Sequence, residues 1–124
     1  MLDIAICGGG VGGLCAAIAL RGMGHRVTVY EQARQFGRVG ADINLTPNAV
    51  HALDRLGASE DLRRNAARPT HRISRTWDSG EETSRLPMSE AAEARYGAPQ
   101  LTVHRADLLA ALEALLPEGT LRFG

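Results

Sequence analysis

The first 31 residues alternate between short apolar runs and a longer stretch with apolar positions at helical spacing. Residues 2–7 (LDIAIC) form a β-branched apolar run that suits a buried parallel strand. Residues 12–23 are rich in Ala and Leu at helical intervals, and Gly24 follows as a stop signal. Residues 26–31 (RVTVYE) alternate between apolar and polar side chains, as a second strand does. This order of strand, helix and strand predicts a βαβ unit.

Short helices and strands are predicted for the rest of the chain. Thr46 and Pro47 open a helix that Gly57 would end, and Ser59 would cap the helix that follows. Two strand-like runs, 71–77 and 82–86, flank a turn and predict a β-hairpin. The other predicted elements are an extended stretch ending a loop at 32–45, one or two helical turns within 88–95, a strand at 101–104, a helix from Arg105 to Leu116 and a strand at 120–123.

A glycine-rich turn joins the first strand to the first helix. Gly8, Gly10 and Gly13 fit the pattern G-x-G-x-x-G, and Glu31 ends the second strand about 20 residues farther on. The first glycine permits a tight turn, the second lets the backbone approach a pyrophosphate, and the third lets helix and strand pack closely. The helix N-terminus offers N–H groups to phosphates, and the acidic side chain can accept hydrogen bonds from a ribose. We therefore expect an α/β, Rossmann-like fold with a parallel sheet that binds an adenine dinucleotide.

Composition and charge narrow the function classes. The 124 residues suffice for one domain, and 14 basic residues balance 14 acidic ones, so no nucleic acid or anionic membrane is indicated as a partner. No run reaches the ~18 apolar residues of a membrane span and no signal peptide is apparent, which favours a cytoplasmic location. Cys7 and Cys15 lack metal or redox spacing and are expected to be buried, and each of the 4 histidines stands alone. No metal site is therefore expected.

Three segments together resemble one family. The glycine turn with Glu31, residues 40–49 (GADINLTPNA) and residues 103–108 (VHRADL) are similar to the FAD-dependent aromatic hydroxylases. These are the single-component flavin monooxygenases that include salicylate hydroxylase and 6-hydroxynicotinate 3-monooxygenase. The resemblance spans essentially all 124 residues, including the predicted hairpin.

The resemblance implies a set of FAD-binding residues. The glycines would hold the pyrophosphate, and Glu31, with Gln32 beside it, would bind the adenosine ribose. Arg38 and Arg105 would reach the FAD, because the planar guanidinium matches phosphate oxygens. Taken alone, Arg105 could instead be a helix-start residue that faces water. The implied cofactor-binding positions are Gly8, Gly10, Gly12, Gly13, Glu31, Gln32, Arg38 and Arg105.

Residues 42–44 depart from the pattern of this family. Asp42 stands where many relatives carry glycine, and Asn44 stands where the hydroxynicotinate enzymes carry histidine. Asn44 is a candidate for orienting substrate or flavin by hydrogen bonds, but an amide cannot act as a general base at neutral pH. The catalytic residues therefore stay unassigned.

The resemblance also implies a reaction. In this family NAD(P)H reduces the FAD, and the reduced flavin uses dioxygen to hydroxylate an aromatic or heteroaromatic acid or phenol. The later FAD motifs, the substrate domain and the C-terminal part of the family have no counterpart in these residues. We expect residues 1–124 to be the truncated N-terminal portion of the FAD-binding domain, holding the ADP half of FAD and inactive alone.

Two alternatives stay open at this point. One is the Rossmann domain of an NAD(P)-dependent dehydrogenase, since Glu31 suits either cofactor. The other is a non-catalytic nucleotide-binding module. The sequence determines neither the aromatic substrate, the choice between NADH and NADPH, nor the oligomeric state.

Overall fold

The fold is built on a three-stranded parallel sheet. In the computed structural model, which describes residues 1–38 and 40–124, the strands at 3–7, 26–31 and 121–123 are hydrogen-bonded in that order. Cys7 lies opposite Tyr30 in the first pair, and Glu31 lies opposite Phe123 in the second, so all three strands end at one edge of the sheet. The expected α/β fold with a parallel sheet is confirmed. The strand bounds are β1 (Asp3–Cys7), β2 (Arg26–Glu31) and β7 (Leu121–Phe123).

The first helix, α1 (Val11–Gly22), connects β1 to β2 and joins two apolar clusters. Ala17 packs against Val27 and Val29 of the sheet, and all three are buried. Leu14, also fully buried, belongs to a second, larger cluster. That cluster includes residues of α2 (Pro47–Leu56), α3 (Ser59–Asn65) and α5 (Arg105–Glu113). Because α1 packs against both the sheet and the other helices, its N-terminus has a fixed position relative to the ends of the strands.

A second, antiparallel pair of strands leads into α5. Asn44 of β3 (Asp42–Leu45) lies opposite Thr102 of β6 (Leu101–His104). The helix starts at the residue that follows β6. His104 caps α5, because its Nδ1 atom accepts a hydrogen bond of 3.1 Å from the backbone N–H of Ala106. The antiparallel pair therefore positions the first residue of α5, Arg105.

The predicted hairpin is present and exposed on both faces. It consists of β4 (His71–Arg75) and β5 (Glu82–Pro87), which are antiparallel, and α4 (Ser89–Tyr96) follows. Every residue of the two strands is exposed, and the side chain of Trp77 near the turn is 97% exposed. The hairpin thus adds nothing to either buried cluster.

Two predicted helix ends are wrong in detail. Ser59 is the first residue of α3 and Ala58 is its cap, because the N–H of Ala58 already bonds to the carbonyl of Leu53 in the turn that ends α2. The last predicted helix stops at Glu113, three residues early. There the N–H of Leu116 bonds to the carbonyl of Glu113, which tightens the chain before Pro117.

The predicted burial of Cys7 is also wrong, whereas Cys15 is half-buried. Exposed and half-buried residues alternate along β1, and Cys7 shares the exposed face of the strand with Asp3 and Ala5. The apolar run was interpreted as a strand buried on both faces, but α1 covers only one face of β1 in the part of the chain described.

Candidate functional site

The glycine turn is fixed by two close backbone contacts. Gly8 has φ +108°, a conformation that favours glycine, and its N–H donates a hydrogen bond of 2.7 Å to the carbonyl of Tyr30. A β-carbon at Gly13 would lie 2.0 Å from the carbonyl oxygen of Gly8. The first and third glycines of the motif therefore have the structural tasks that the sequence predicts.

The opposite side of the turn is open. A β-carbon added at Gly10 or Gly12 would meet no atom within 4 Å. Gly10 precedes α1, and no described side chain caps that helix. The first N–H groups of a helix have no partner within it and carry the positive end of the helix dipole. The turn thus presents free N–H groups to a space that an anion can enter.

The carboxylate of Glu31 lies against this turn. Its Oε2 atom accepts a hydrogen bond of 2.7 Å from the N–H of Gly9, and its Oε1 atom accepts one of 2.8 Å from the N–H of Ala33. The pKa of Glu31 is lowered below its ordinary value, most by the hydrogen bond from Ala33 and next by that from Gly9. The positive charge of Arg105 lowers it further. Glu31 is therefore ionised at neutral pH. Each carboxylate oxygen retains a further lone pair, so the group can also accept ribose hydroxyls.

Two clefts meet at Glu31. One, of about 690 Å³, lies beyond the carboxyl ends of the sheet and includes Gly8 and Gln32 in its wall. The other, of about 490 Å³, runs over Gly9 and Gly10 to the side chain of Arg105. Ligands of open α/β sheets bind at the carboxyl ends of the strands, and clefts of this size suit small ligands. Both clefts therefore lie where a dinucleotide is expected.

Arg105 borders the second cleft. It is exposed, and its stem packs against Gly40, where a β-carbon would lie 3.2 Å from both Cβ and Cδ of the arginine. Its backbone N–H donates to the carbonyl of Ala41 at 3.2 Å. The structure thus brings Arg105 to the same cleft as the glycine turn and Glu31.

The other two predicted side chains stand apart from these clefts. The guanidinium of Arg38 forms an ion pair of 3.2 Å with Asp107 on α5. Asn44 accepts a hydrogen bond of 2.9 Å from the hydroxyl of Thr102 across the β3–β6 pair. Among the described residues, neither Arg38 nor Asn44 belongs to the lining of the two clefts beside Glu31.

Several groups near the site were not found from the sequence. The N–H groups of Gly9 and Ala33 hold Glu31. Gly9 occupies a position of the motif that any residue can fill, and Ala33 lies outside the motif, two residues after Glu31. Phe36 packs edge-on against Phe123 with ring centroids 5.0 Å apart, which connects the loop after β2 to β7. The signal that could have found Gly9 is the run of three glycines at 8–10.

Other site classes find no support in the described part of the chain. Residues 1–38 and 40–124 contain no group of three or more His, Cys, Asp or Glu side chains that could hold a metal ion. No helix within these residues has the length and apolar character needed to span a membrane. The candidate site is the glycine turn with Glu31, where the two clefts meet.

The fold is Rossmann-like, with the glycine turn and Glu31 at the carboxyl ends of its parallel sheet. Residues 6–59 match the family model described as an NAD(P)-binding Rossmann-like domain. The chain is also related to aromatic monooxygenases. It is 42% identical over 97% of its length to 6-hydroxynicotinate 3-monooxygenase of Bordetella bronchiseptica, and 40% identical over 98% to 3-hydroxybenzoate 6-hydroxylase of Polaromonas naphthalenivorans. The chain spans 31% of the length of each of these relatives.

Solved structures agree with this relationship. Klebsiella pneumoniae HpxO, in complex with FAD and uric acid, superposes with a TM-score of 0.87 at 26% identity, covering 99% of this chain and 31% of that one. The 2-methyl-3-hydroxypyridine-5-carboxylic acid oxygenase superposes with a TM-score of 0.80 at 28% identity over 99% of this chain and 31% of that one. The resemblance to FAD-dependent aromatic hydroxylases that the three sequence segments predicted is confirmed.

Proposed function

We propose that this chain binds the ADP half of FAD for a flavin-dependent monooxygenase that hydroxylates an aromatic or heteroaromatic acid or phenol, with NAD(P)H and dioxygen as co-substrates. The observation that carries the proposal is the position of the ionised Glu31 beside an uncapped glycine turn in the described chain. Relatives named as hydroxylases and monooxygenases over nearly the whole chain support it.

The residues around the two clefts fit the ADP group. The pyrophosphate would lie over Gly10 and Gly12, where free N–H groups and the positive end of α1 stabilise negative charge. Glu31 would accept hydrogen bonds from the adenosine ribose, and Arg105 would add positive charge on the phosphate side. Gln32 would line the cleft at the carboxyl ends of the strands, where the adenosine extends. Glu31 and Gln32 line the first cleft, and Gly10, Glu31 and Arg105 line the second, which supports these roles.

Arg38 and Asn44 do not line either cleft among the described residues, and each already has a partner within the chain. Arg38 would reach FAD only by exchanging its ion pair with Asp107 for a phosphate oxygen. Asn44, held by Thr102, would orient substrate or the flavin edge from the β3–β6 pair. Bound FAD supplies the redox and oxygen chemistry, while this chain orients its nucleotide end.

In this proposal FAD binding and substrate binding belong to different parts of a longer polypeptide. Residues 1–124 would form the N-terminal portion of the FAD-binding domain, and the substrate pocket would come from polypeptide that corresponds to the rest of the relatives. A cytoplasmic location belongs to the same proposal, because the reaction consumes NAD(P)H. The substrate would be a small aromatic molecule.

The test is a binding experiment with matched ligands. We expect FAD and ADP to compete for one site on the chain, and riboflavin, which lacks the ADP half, to leave that site free. NAD⁺ shares the ADP half, so the visible absorbance of the cofactor that copurifies with the protein distinguishes FAD from NAD. Riboflavin binding in competition with FAD, or no competition by ADP, would contradict the assignment of the ADP half.

Two glycines of α1 offer a matched pair of variants. Gly12 and Gly22 both lie in α1, and a β-carbon at either would meet no atom within 4 Å. Only Gly12 is beside the proposed phosphate position. Gly12→Ala should weaken FAD and ADP binding about tenfold or more, which corresponds to ~1.4 kcal/mol, while Gly22→Ala should not change it. Equal affinities of the two variants would argue against a phosphate at the start of α1.

A further inference from the structure

Gly9 is the buried member of the glycine turn. Gly8 is exposed and Gly10 half-buried, whereas Gly9 is enclosed by the side chains of Glu31 and Leu121. A β-carbon at Gly9 would lie 3.1 Å from Cβ of Glu31 and 3.2 Å from its Oε2 atom. The carboxylate and the peptide of Gly9 are therefore in direct contact, with the 2.7 Å hydrogen bond between them.

The same carboxylate also holds the segment that follows β2. Its second oxygen accepts the N–H of Ala33, two residues farther along the chain. Glu31 thus joins the turn after β1 to the turn after β2 through two backbone N–H groups. Hydrogen bonds from N–H groups to an ionised carboxylate are stronger than those between neutral groups, so this junction fixes the direction of both peptides.

The hydrogen bond decides which N–H groups of the turn remain free. The N–H of Gly8 bonds to Tyr30 and that of Gly9 to Glu31, so both point into the protein. The following N–H groups, at the start of α1, are left for a ligand. If the peptide at Gly9 could rotate, the turn would lose the fixed arrangement of donors that a phosphate needs.

We propose that Glu31 is a positioning residue for the phosphate turn, acting through the N–H of Gly9, in addition to its contact with the ribose. This inference rests on the proposed nucleotide-binding function. It separates two roles of one side chain. The ribose contact requires the ligand's hydroxyl groups, whereas the positioning role operates on the protein backbone even when those hydroxyls are missing.

The two roles are separated by combining a variant with a modified ligand. The ligands are ADP and 2′,3′-dideoxy-ADP, which lacks the ribose hydroxyls that Glu31 would bind. The variant is Glu31→Gln, and the control is Glu82→Gln, the same substitution at an ionised carboxylate that bonds to Arg85 on the remote hairpin. Affinities are measured by calorimetry after circular dichroism has verified that each variant is folded.

The positioning role predicts a loss with both ligands. Glu31→Gln should weaken 2′,3′-dideoxy-ADP binding about tenfold or more, since glutamine offers one uncharged acceptor oxygen to the two N–H groups that the carboxylate holds. Glu82→Gln should leave the affinity unchanged. Equal affinity of 2′,3′-dideoxy-ADP for the wild type and Glu31→Gln, with ADP weakened, would overturn the inference and leave the proposed function intact. Failure of both ligands to bind the wild type would overturn the proposed function and the ligand role of Glu31 with it.

Amide hydrogen exchange in the ligand-free wild type provides a measurement that needs no variant. The N–H of Gly9 bonds to Glu31, whereas Gly12 lies in the first turn of α1, where N–H groups have no partner within the helix. We expect the Gly9 amide to exchange about tenfold more slowly than that of Gly12, or slower still. Similar exchange rates for the two amides would contradict the positioning role.

Discussion

A β-carbon at Gly13 would lie 2.0 Å from the carbonyl oxygen of Gly8, so this pair of glycines sets the distance between α1 and the end of β1. Gly13→Ala should therefore lower the free energy of unfolding by about 1–3 kcal/mol, as overpacking does. Gly12→Ala is the control, because a β-carbon there meets no atom within 4 Å and alanine favours a helix by up to ~1 kcal/mol. Urea unfolding measures both. Equal stability of the two variants would contradict the close contact.

The acid sensitivity of Glu31 gives a second prediction. Hydrogen bonds from Ala33 and Gly9 and the charge of Arg105 lower the pKa of Glu31 in the folded chain. Its stabilisation is then fully present above the pKa of an unfolded glutamate, about 4.3, and is lost as the pH falls through the lower folded value. The wild type should exceed Glu31→Gln in stability at neutral pH, and this difference should shrink below about pH 4.3.

Urea unfolding of both proteins across this pH range is the measurement. A stability difference that stays constant down to the lowest pH would show that the two hydrogen bonds do not depend on the ionised carboxylate. A stability difference that grows as the pH falls would show that folding raises the pKa of Glu31 instead of lowering it.

The two cysteines should differ in reactivity. Cys7 is exposed and lines the cleft at the carboxyl ends of the sheet, whereas Cys15 is half-buried in α1 and its burial raises the pKa of the thiol. Because the thiolate is the nucleophile, a thiol-alkylating reagent should modify Cys7 first, and bound ADP should slow that reaction. Mass spectrometry of peptides after timed alkylation identifies the site. Faster modification of Cys15, or no protection by saturating ADP, would contradict this arrangement.

The packing of α5 against α1 is tested by a pair of leucines. Leu112 is fully buried in the larger cluster, and Leu115, just past the end of the helix, is 39% exposed. Leu112→Ala should cost about 2–5 kcal/mol of unfolding free energy, and Leu115→Ala less than about 1 kcal/mol. Chemical denaturation checks both values, and similar losses would place the core elsewhere.

Local patterns were enough to predict the βαβ unit and the glycine turn. Gly8 and Gly13 have tasks that depend on the surrounding backbone, and the alternation at 26–31 directly marks the strand that carries Glu31. Helix ends were predicted less well. Ala58, whose N–H bonds to the carbonyl of Leu53, caps α3 in place of the predicted Ser59. The chain after Glu113 tightened before a proline instead of continuing as helix.

Relationships between distant residues could not be predicted from the sequence. The pairing of β3 with β6 joins segments that lie far apart along the chain, and the sequence of neither segment indicates which strand it pairs with. The ion pair of Arg38 with Asp107 and the contact of Gly9 with Glu31 arise only once the chain has folded. The resemblance to the hydroxylases implies that Arg38 binds FAD. It could not show that Asp107 already pairs with the guanidinium of Arg38.

The most direct test of ADP binding at the glycine turn is to follow backbone amide resonances of the isotopically labelled chain during a titration with ADP. We expect saturable shifts at Gly10, Gly12, Glu31 and Gln32, with the hairpin at 71–87 unchanged. Shifts centred on the hairpin, or no shifts at saturating ADP, would contradict the claim that the glycine turn and Glu31 hold the ADP half of a dinucleotide.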